Sequence, residues 1–496
     1  MRGEPRVNVT DYLLDGKPGQ ELALLFPARD ATYSVLVSTV HRTAASLAAS
    51  GVRKGDRVIL LAENSFFWVS AYLATLRIGA VSVPLATIIS AADLAYIIES
   101  TSPACALASG LQAKKHATVL GGVPLVIESD WEKQINRDPV AEIPSDGTSA
   151  GDLAALMFTS GSTGQPRGVM VTHGNIIANT DSIIAALSLT SSDRVMAVLP
   201  FHYCFGTSLL HTHLRVGGSI VIDNRFLYPE AVLRRMNETR CTGFAGVPSH
   251  FQILLRKSGL GKMNFPHLRY VQQAGGHLAP VFLRELRESL PGKQIFVMYG
   301  QTEATARLTT LPAGMLDAKP GSIGKPIPGV SLQLITEDGR LAGPGETGEI
   351  VAQGANITAG YWHDNAETSH CFRNGRLHTG DIATMDEDGF YFIVGRAKDF
   401  LKCGGKRVSA RQLEETMLEH PDVVEAAIVG IPDEVLGEAV KAFVVPRTLD
   451  ERALEESLRQ FCKSRLPIAF QPKEIIITTA LPKNSAGKIL KAALPR

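Results

Sequence analysis

Apolar residues recur at helical spacing over 36–50 and stop at Gly51. Lys54-Gly55-Asp56 then reads as a turn, and the apolar run 57–61 as a buried strand. The order repeats, with a helix expected over 71–78 and a strand over 80–84. Further short apolar runs at 219–222, 243–247 and 294–298 follow helical segments. Strands separated by helices predict βαβ units and mostly parallel sheets, an α/β class. From about Gly321 the pattern changes to short β-rich pieces at 331–335, 348–351 and 389–394. Turn residues such as Glu337-Asp338-Gly339 and Gly343-Pro344-Gly345 separate them, which predicts a smaller β-barrel-like subdomain. The last hundred residues return to βα: helix 411–419, strands 423–429 and 442–445, helix 451–465. The expected organisation is a large N-terminal domain, 1–396, of parallel-rich αβα subdomains with its β-rich part at about 321–396, and a small α+β C-terminal domain, 397–496.

Composition narrows this little. The 496 residues carry 50 Lys plus Arg against 49 Asp plus Glu, so the overall charge gives no electrostatic footprint for nucleic acid. Six cysteines stand singly at 105, 204, 241, 371, 403 and 462, without the CxxC pairs of a zinc site, and fit a reducing compartment. The stretch 69–86 contains Arg77, Gly79 and Pro84 and reads as a core helix followed by a strand, not a membrane span. The N-terminus lacks the apolar core of a signal peptide, and the C-terminus is not a peroxisomal signal, so the expected location is cytoplasmic.

The chemistry concentrates first in Thr159-Ser160-Gly161-Ser162-Thr163-Gly164-Gln165-Pro166-Arg167-Gly168, which follows the strand-like run 153–158. Glycines let backbone N–H groups converge on an anion, hydroxyls add donors, and Arg167 adds a permanent charge. That set suits the β- and γ-phosphates of a nucleotide. From composition alone the string could equally be a flexible connection between strands. It is neither a Walker A loop nor a GxGxxG fingerprint.

As a ten-residue string it resembles the phosphate signature TSGSTGxPKG of the adenylate-forming superfamily: acyl-CoA synthetases, aryl-CoA ligases, peptide-synthetase adenylation domains and beetle luciferase. Arg167 replaces the usual Lys. Further motifs follow in the family order. Tyr299-Gly300-Gln301-Thr302-Glu303 resembles YGxTE, which implies that Thr302 contacts the α-phosphate and Glu303 holds Mg²⁺. Gln273-Ala274-Gly275-Gly276 corresponds to the strand-to-helix turn beside adenine and the acyl pocket. Thr379-Gly380-Asp381 and Gly395-Arg396-Ala397-Lys398-Asp399 resemble TGD and GRxxD, implying ribose contacts from Asp381 and Arg396 and a hinge at Lys398. The segment around Lys402, Gly404 and Gly405 resembles the loop that serves the second half-reaction, with Ala410 and Gln412 where Pro and Glu are usual. Pro482-Lys483…Gly487-Lys488 resembles PKxxxGKI and implies that Lys488 bridges carboxylate and α-phosphate. The resemblance also implies a C-terminal domain that moves.

Pro200-Phe201-His202 aligns with the acid pocket, where amino-acid-activating members carry an Asp. His202 there disfavours an amino acid and matches the carboxylate-gating His of acyl- and aryl-CoA ligases; a packed core His is the plain alternative. Phe205, Phe244, Val247 and Gly276 are the expected pocket walls, suggesting an aromatic or medium-chain acid. His211 and His213 form HxH without an evident third ligand and read as helix residues. The implied function is ATP- and Mg²⁺-dependent formation of an acyl-adenylate, then transfer to the thiol of coenzyme A. Transfer to a separate carrier protein or an amine, and a non-catalytic nucleotide-binding homologue, are the alternatives.

Overall fold

The apolar runs that stop at turns build two sheets whose inner strands are parallel. The computed structural model describes residues 7–135, 147–160, 165–396, 399–433, 436–447, 451–483 and 489–495. One sheet has nine strands, in the order 325–326, 309–311, 294–299, 270–273, 243–246, 194–197, 219–222, 22–25, 30–32. Its six inner strands, 294–299 through 22–25, pair in parallel and its edges are antiparallel. The second has six strands, in the order 125–127, 105–108, 57–61, 81–84, 153–160, 166–172; the pairing of its last two strands is antiparallel.

Between the sheets lie the helices Tyr33–Ala49, Phe66–Arg77, His173–Leu187 and Cys204–Val216. Every residue of Phe66–Arg77 is buried, because the helices Val9–Leu14 and Tyr33–Ala49 and the strands 57–61 and 81–84 pack around it. A helix apolar all round is a central-layer helix. Its buried Arg77 is ion-paired with Asp11. Helices Pro229–Glu238, Pro248–Lys257 and Pro280–Ser289 cover the outer face of the larger sheet, each begun by a proline, which has no N–H to waste at that position. Alternation within one strand divides the cores: Val58 and Leu60 face the central layer, Ile59 and Leu61 the outer one.

The β-rich region is an antiparallel five-stranded sheet, 330–335, 348–354, 376–385 and 372–373, with 391–396 also paired to 376–385. A bridge between Gly324 and Tyr391 ties it to the preceding segment. The C-terminal region is a second five-stranded sheet with helices Ala410–Leu418 and Glu451–Arg465 against it and its own core. The fold is thus α/β, with a large N-terminal part of parallel-rich sheets and a small α+β C-terminal part. Among the described residues no helix is long and apolar enough to cross a membrane.

Candidate active site

The glycine-rich string joins two antiparallel strands, Leu153–Ser160 and Pro166–Thr172, with Thr159 opposite Arg167 and Ser160 opposite Pro166. Gly161, Ser162, Thr163 and Gly164 lie outside the described residues, as do Lys398 and Lys488. The second strand leads straight into the helix His173–Leu187, capped by Thr172 and Asn175 in reciprocal hydrogen bonds of 3.1 and 3.0 Å. The Asn175 amide also donates to the carbonyls of Ala355 and Ile357, at 2.8 and 2.9 Å. That clasps the segment around 359–362 along the strand, where Trp362 N–H donates to the Gly168 carbonyl at 2.7 Å. Arg167 is engaged by this neighbour: its Nε lies 3.3 Å from Asp364 and its Nη1 2.8 Å from Glu367. A phosphate at Arg167 therefore competes with two carboxylates.

Tyr361 sits on the same segment, paired across to Val169, and its hydroxyl donates to Glu303 Oε1 at 2.8 Å. Beside that carboxylate, burial raises the Tyr361 pKa, so the phenol stays a donor. Glu303 lies in the short turn Thr302–Ala304, and the Thr358 N–H donates to its backbone carbonyl at 3.0 Å. The phosphate hairpin and the Glu303 turn are thereby fastened to one segment. Among the described residues Glu303 Oε2 accepts no hydrogen bond, which leaves an oxygen for a hard cation. Thr302 is 8% exposed, with its hydroxyl 3.5 Å from Cys204 Sγ.

Asp381 unites three motifs. Its Oδ2 accepts from the Tyr299 hydroxyl at 2.7 Å and its Oδ1 from Arg396 Nε at 2.9 Å. Asp381 and Arg396 are cross-strand partners. Burial and the Asp381 charge raise the Tyr299 pKa well above its ordinary value. Glu349 braces the turn before Asp381, accepting from the Gly380 N–H at 3.0 Å and pairing with His378 at 3.0 Å.

On the acid side, Gly275 has φ +79°, and a Cβ there would stand 2.8 Å from Val247 Cγ1 and 3.1 Å from the Tyr203 hydroxyl. Gly276 accepts from Gln273 Nε2 at 2.8 Å and abuts Pro248. His202 is half-buried, and loss of solvent around its ring lowers its pKa to about 4, so it is neutral at pH 7. Phe244 does not join this wall. Its ring packs edge-on to Phe251 at 5.8 Å in the outer core, while Ala245, the next residue, faces the central layer. Both faces of a parallel sheet are covered, so an apolar run gives no sign of which side each residue faces. His211 and His213 share the helix Cys204–Val216 but point to different partners, Tyr72 at 3.0 Å and Tyr270 at 2.9 Å.

In the C-terminal part, Lys402 and Gly405 sit on the hairpin 400–409, whose turn residues Gly404 and Gly405 both have positive φ, +57° and +73°. That is the two-residue turn matched to strand twist, and glycine fills both positions. Both Lys402 and Gly405 are exposed, and the Lys402 backbone N–H donates to Glu438 at 2.7 Å. Lys483, by contrast, pairs with Glu425 and is close enough for its charge to lower the pKa of His250. His250 lies in the first turn of the helix Pro248–Lys257, which follows Val247. A bridge joins Lys483 to Ile489, the described residues that flank Lys488. The hairpin carrying Lys402 faces solvent.

Tyr361 and Arg307 escaped the sequence reading. Tyr361 stands outside the motifs used, in a linker whose pairing to Val169 is set by tertiary packing. Arg307 reads as an ordinary polar residue after the YGQTE string, yet it is 1% exposed.

Two family models match the chain: "AMP-binding enzyme" over residues 14–362 and "AMP-binding enzyme C-terminal domain" over 412–488. A feruloyl-CoA synthase of Amycolatopsis sp is 32% identical over 468 residues, covering 94% of this chain and 93% of the relative. An oxalate–CoA ligase of Arabidopsis thaliana is 31% identical over 484 residues, covering 92% and 91%. Among solved structures, the anthranilate CoA ligase AuaEII in complex with anthranoyl-AMP superposes with a TM-score of 0.91 at 26% identity, covering 98% of this chain and 96% of the other. The o-succinylbenzoate CoA synthetase of Bacillus subtilis with ATP and magnesium gives 0.86 at 28% identity, covering 98% and 99%.

Proposed function

The chain belongs to the AMP-binding enzyme family, and from that premise we propose roles for its residues in AMP-forming ligation of a carboxylic acid to coenzyme A. The enzyme uses ATP, magnesium and CoA. A carboxylate is a poor acyl donor because oxide is a poor leaving group. Its oxygen attacks the α-phosphorus of ATP, the bond to pyrophosphate breaks, and AMP becomes the leaving group. The thiol then attacks the acyl carbon and AMP departs.

Alignment of the two anions and neutralisation of the charge between them are what the protein must supply. The backbone of Thr159 and Ser160 and the loop Gly161–Gly164 cradle the outer phosphates. Thr302 donates to the α-phosphate. Glu303, with one oxygen held by Tyr361 and the other open, would hold Mg²⁺, which keeps most of its waters and takes one or two carboxylates beside phosphate oxygens. When bound, that ion draws charge from the phosphates. Asp381 and Arg396 take the ribose hydroxyls, and Gly275 and Gly276 give the adenine and acid a flat floor. Neutral His202 borders the acid carboxylate. Lys488, flexible and cationic, bridges carboxylate and α-phosphate. Arg167 braces the hairpin through Asp364 and Glu367.

The chain divides at 396/397 into a large part, whose β-rich portion is about 321–396, and a C-terminal lobe, 397–496, that turns between half-reactions. The turn withdraws Lys488 and brings in Lys402 and Gly405. The junction of Tyr299, Asp381 and Arg396 carries this reading, since it joins three motifs remote in sequence around one buried carboxylate.

Pyrophosphate exchange over an acid panel, followed by CoA against a carrier protein and against amines, tests the reaction and its acceptor. Exchange with CoA consumption is the expected result; exchange without it points to a carrier thiol or an amine. Lys488→Ala should abolish exchange and leave transfer from supplied adenylate largely intact. Equal loss of both steps contradicts the role of Lys488.

A further inference from the structure

The guanidinium of Arg307 is buried without a counter-ion. One donor reaches the sulfur of Met298, a weak acceptor, and Nε has no partner. Its carbon lies 5.3 Å from the centre of the Phe205 ring. Among the described residues no carboxylate pairs with it, whereas buried Arg77 is matched by Asp11. Tyr203 and Cys204, which precede Phe205, are held neutral by burial, the thiol pushed up to about 11. Arg307 itself is lowered to about 10 by burial and remains charged at pH 7. An uncompensated charge in a core is strongly unfavourable, and an apolar side chain of similar size would serve packing better.

Its position suggests what it awaits. Tyr203, whose hydroxyl abuts Gly275 on the acid side, and Cys204 directly precede Phe205, the ring that the guanidinium faces. Cys204 is 3.5 Å from the Thr302 hydroxyl. The cation therefore stands one side chain behind the place where acid and phosphate meet. A water-sized cavity of about 20 Å³ is lined by the neighbouring Cys204, Thr305 and Ala306, with both apolar side chains such as Met157 and Val171 and polar ones such as Asn179 and His211 around it.

We propose that Arg307 is the counter-ion for a second carboxylate on the substrate, so that the preferred acids are dicarboxylic. This deepens the acid–CoA ligase reading and rests on it, and it differs from the aromatic or medium-chain acid expected from the sequence. A guanidinium presents a planar fork of donors that matches a carboxylate.

The test is pyrophosphate exchange with matched pairs, each a monocarboxylic acid and its analogue of the same length bearing a second carboxylate. The wild type should favour the diacid by about tenfold or more in kcat/KM, the scale of one lost charge-paired contact. Arg307→Met should bring that ratio close to one, mainly through KM for the diacid, and Arg307→Lys should restore part of it. The thermal midpoint of Arg307→Met without substrate should be unchanged or higher, because an unpaired charge has been removed. Equal use of both acids by the wild type, an unaltered ratio in Arg307→Met, or a lowered midpoint with equal loss on both acids would overturn the proposal. Failure of every acid to support exchange would overturn the ligase reading beneath it.

Discussion

At the scale of single residues, Glu303 depends on a neighbour far away in sequence. Tyr361 holds one of its oxygens, and through Val169 the same segment is tied to the phosphate hairpin. Tyr361→Phe removes a hydrogen bond to a charged group, on the order of 1.5 kcal/mol, or roughly tenfold. The expected outcome is about a tenfold fall in pyrophosphate exchange, with a higher apparent KM for Mg-ATP and a thermal midpoint near wild type. Unchanged exchange would remove Tyr361 from the site. Thr302, Glu303, Asp381 and Arg396 were legible as candidates because each lies in a contiguous string that resembles a family motif; alone, each would read as an ordinary loop or surface residue. Tyr361 and Arg307 were not, because what singles them out is a partner or the lack of one, and only the packed chain decides that.

Among elements, the turn between Tyr299 and Thr302 is held tightest. A Cβ on Gly300 would lie 2.0 Å from the carbonyl oxygen of Ala306 and 2.8 Å from Arg307 Cα, both backbone atoms that cannot swing aside. Gly300→Ala should therefore push the YGQTE strand end away from the following segment. The expected cost is about 2–4 kcal/mol, read as a lower urea midpoint, with exchange reduced more than about a hundredfold. A midpoint unchanged within error would show that the segment yields easily. The strands and helices themselves were readable, since the runs 57–61 and 219–222 and the helix 451–465 end where the structure ends them. Less readable was the direction of each side chain. The expectation placed Phe244 in the acid wall, whereas pleating turns it to the outer core, and nothing in an unbroken apolar run marks that choice. The hairpin geometry of the phosphate loop was equally hidden, because Pro166-Arg167-Gly168 opens the second strand with Pro and Gly, both depleted in strands.

For the molecule as a whole, the orientation of the C-terminal lobe is fixed by contacts that no motif announces. His277, just beyond Gly276, lies 2.6 Å from Glu415 and 2.6 Å from Arg411, both on the helix Ala410–Leu418. The loop after Gly276 is thus pinned to the C-terminal lobe. Burial and the Arg411 charge lower the His277 pKa, while burial works against the His277 and Arg411 contacts that bring Glu415 down to about 2. The sign follows from each direction. His277 has a lower pKa docked than free, so docking favours its neutral form; that contribution is complete above the ordinary value near 6.5 and is lost as pH falls below it. Glu415, also lower when docked, contributes above about 4.5 and loses its share only as pH falls toward 2. Acidification from pH 7.5 to 5.5 should therefore loosen the docked lobe through His277. Fluorophores at the exposed positions Leu227 and Lys463 would report it as a longer or broader inter-lobe distance at pH 5.5. His277→Gln, which has no proton to gain, should flatten that response. A response that persists in His277→Gln would locate the pH sensitivity elsewhere and leave the His277–Glu415–Arg411 contact without control over the lobe.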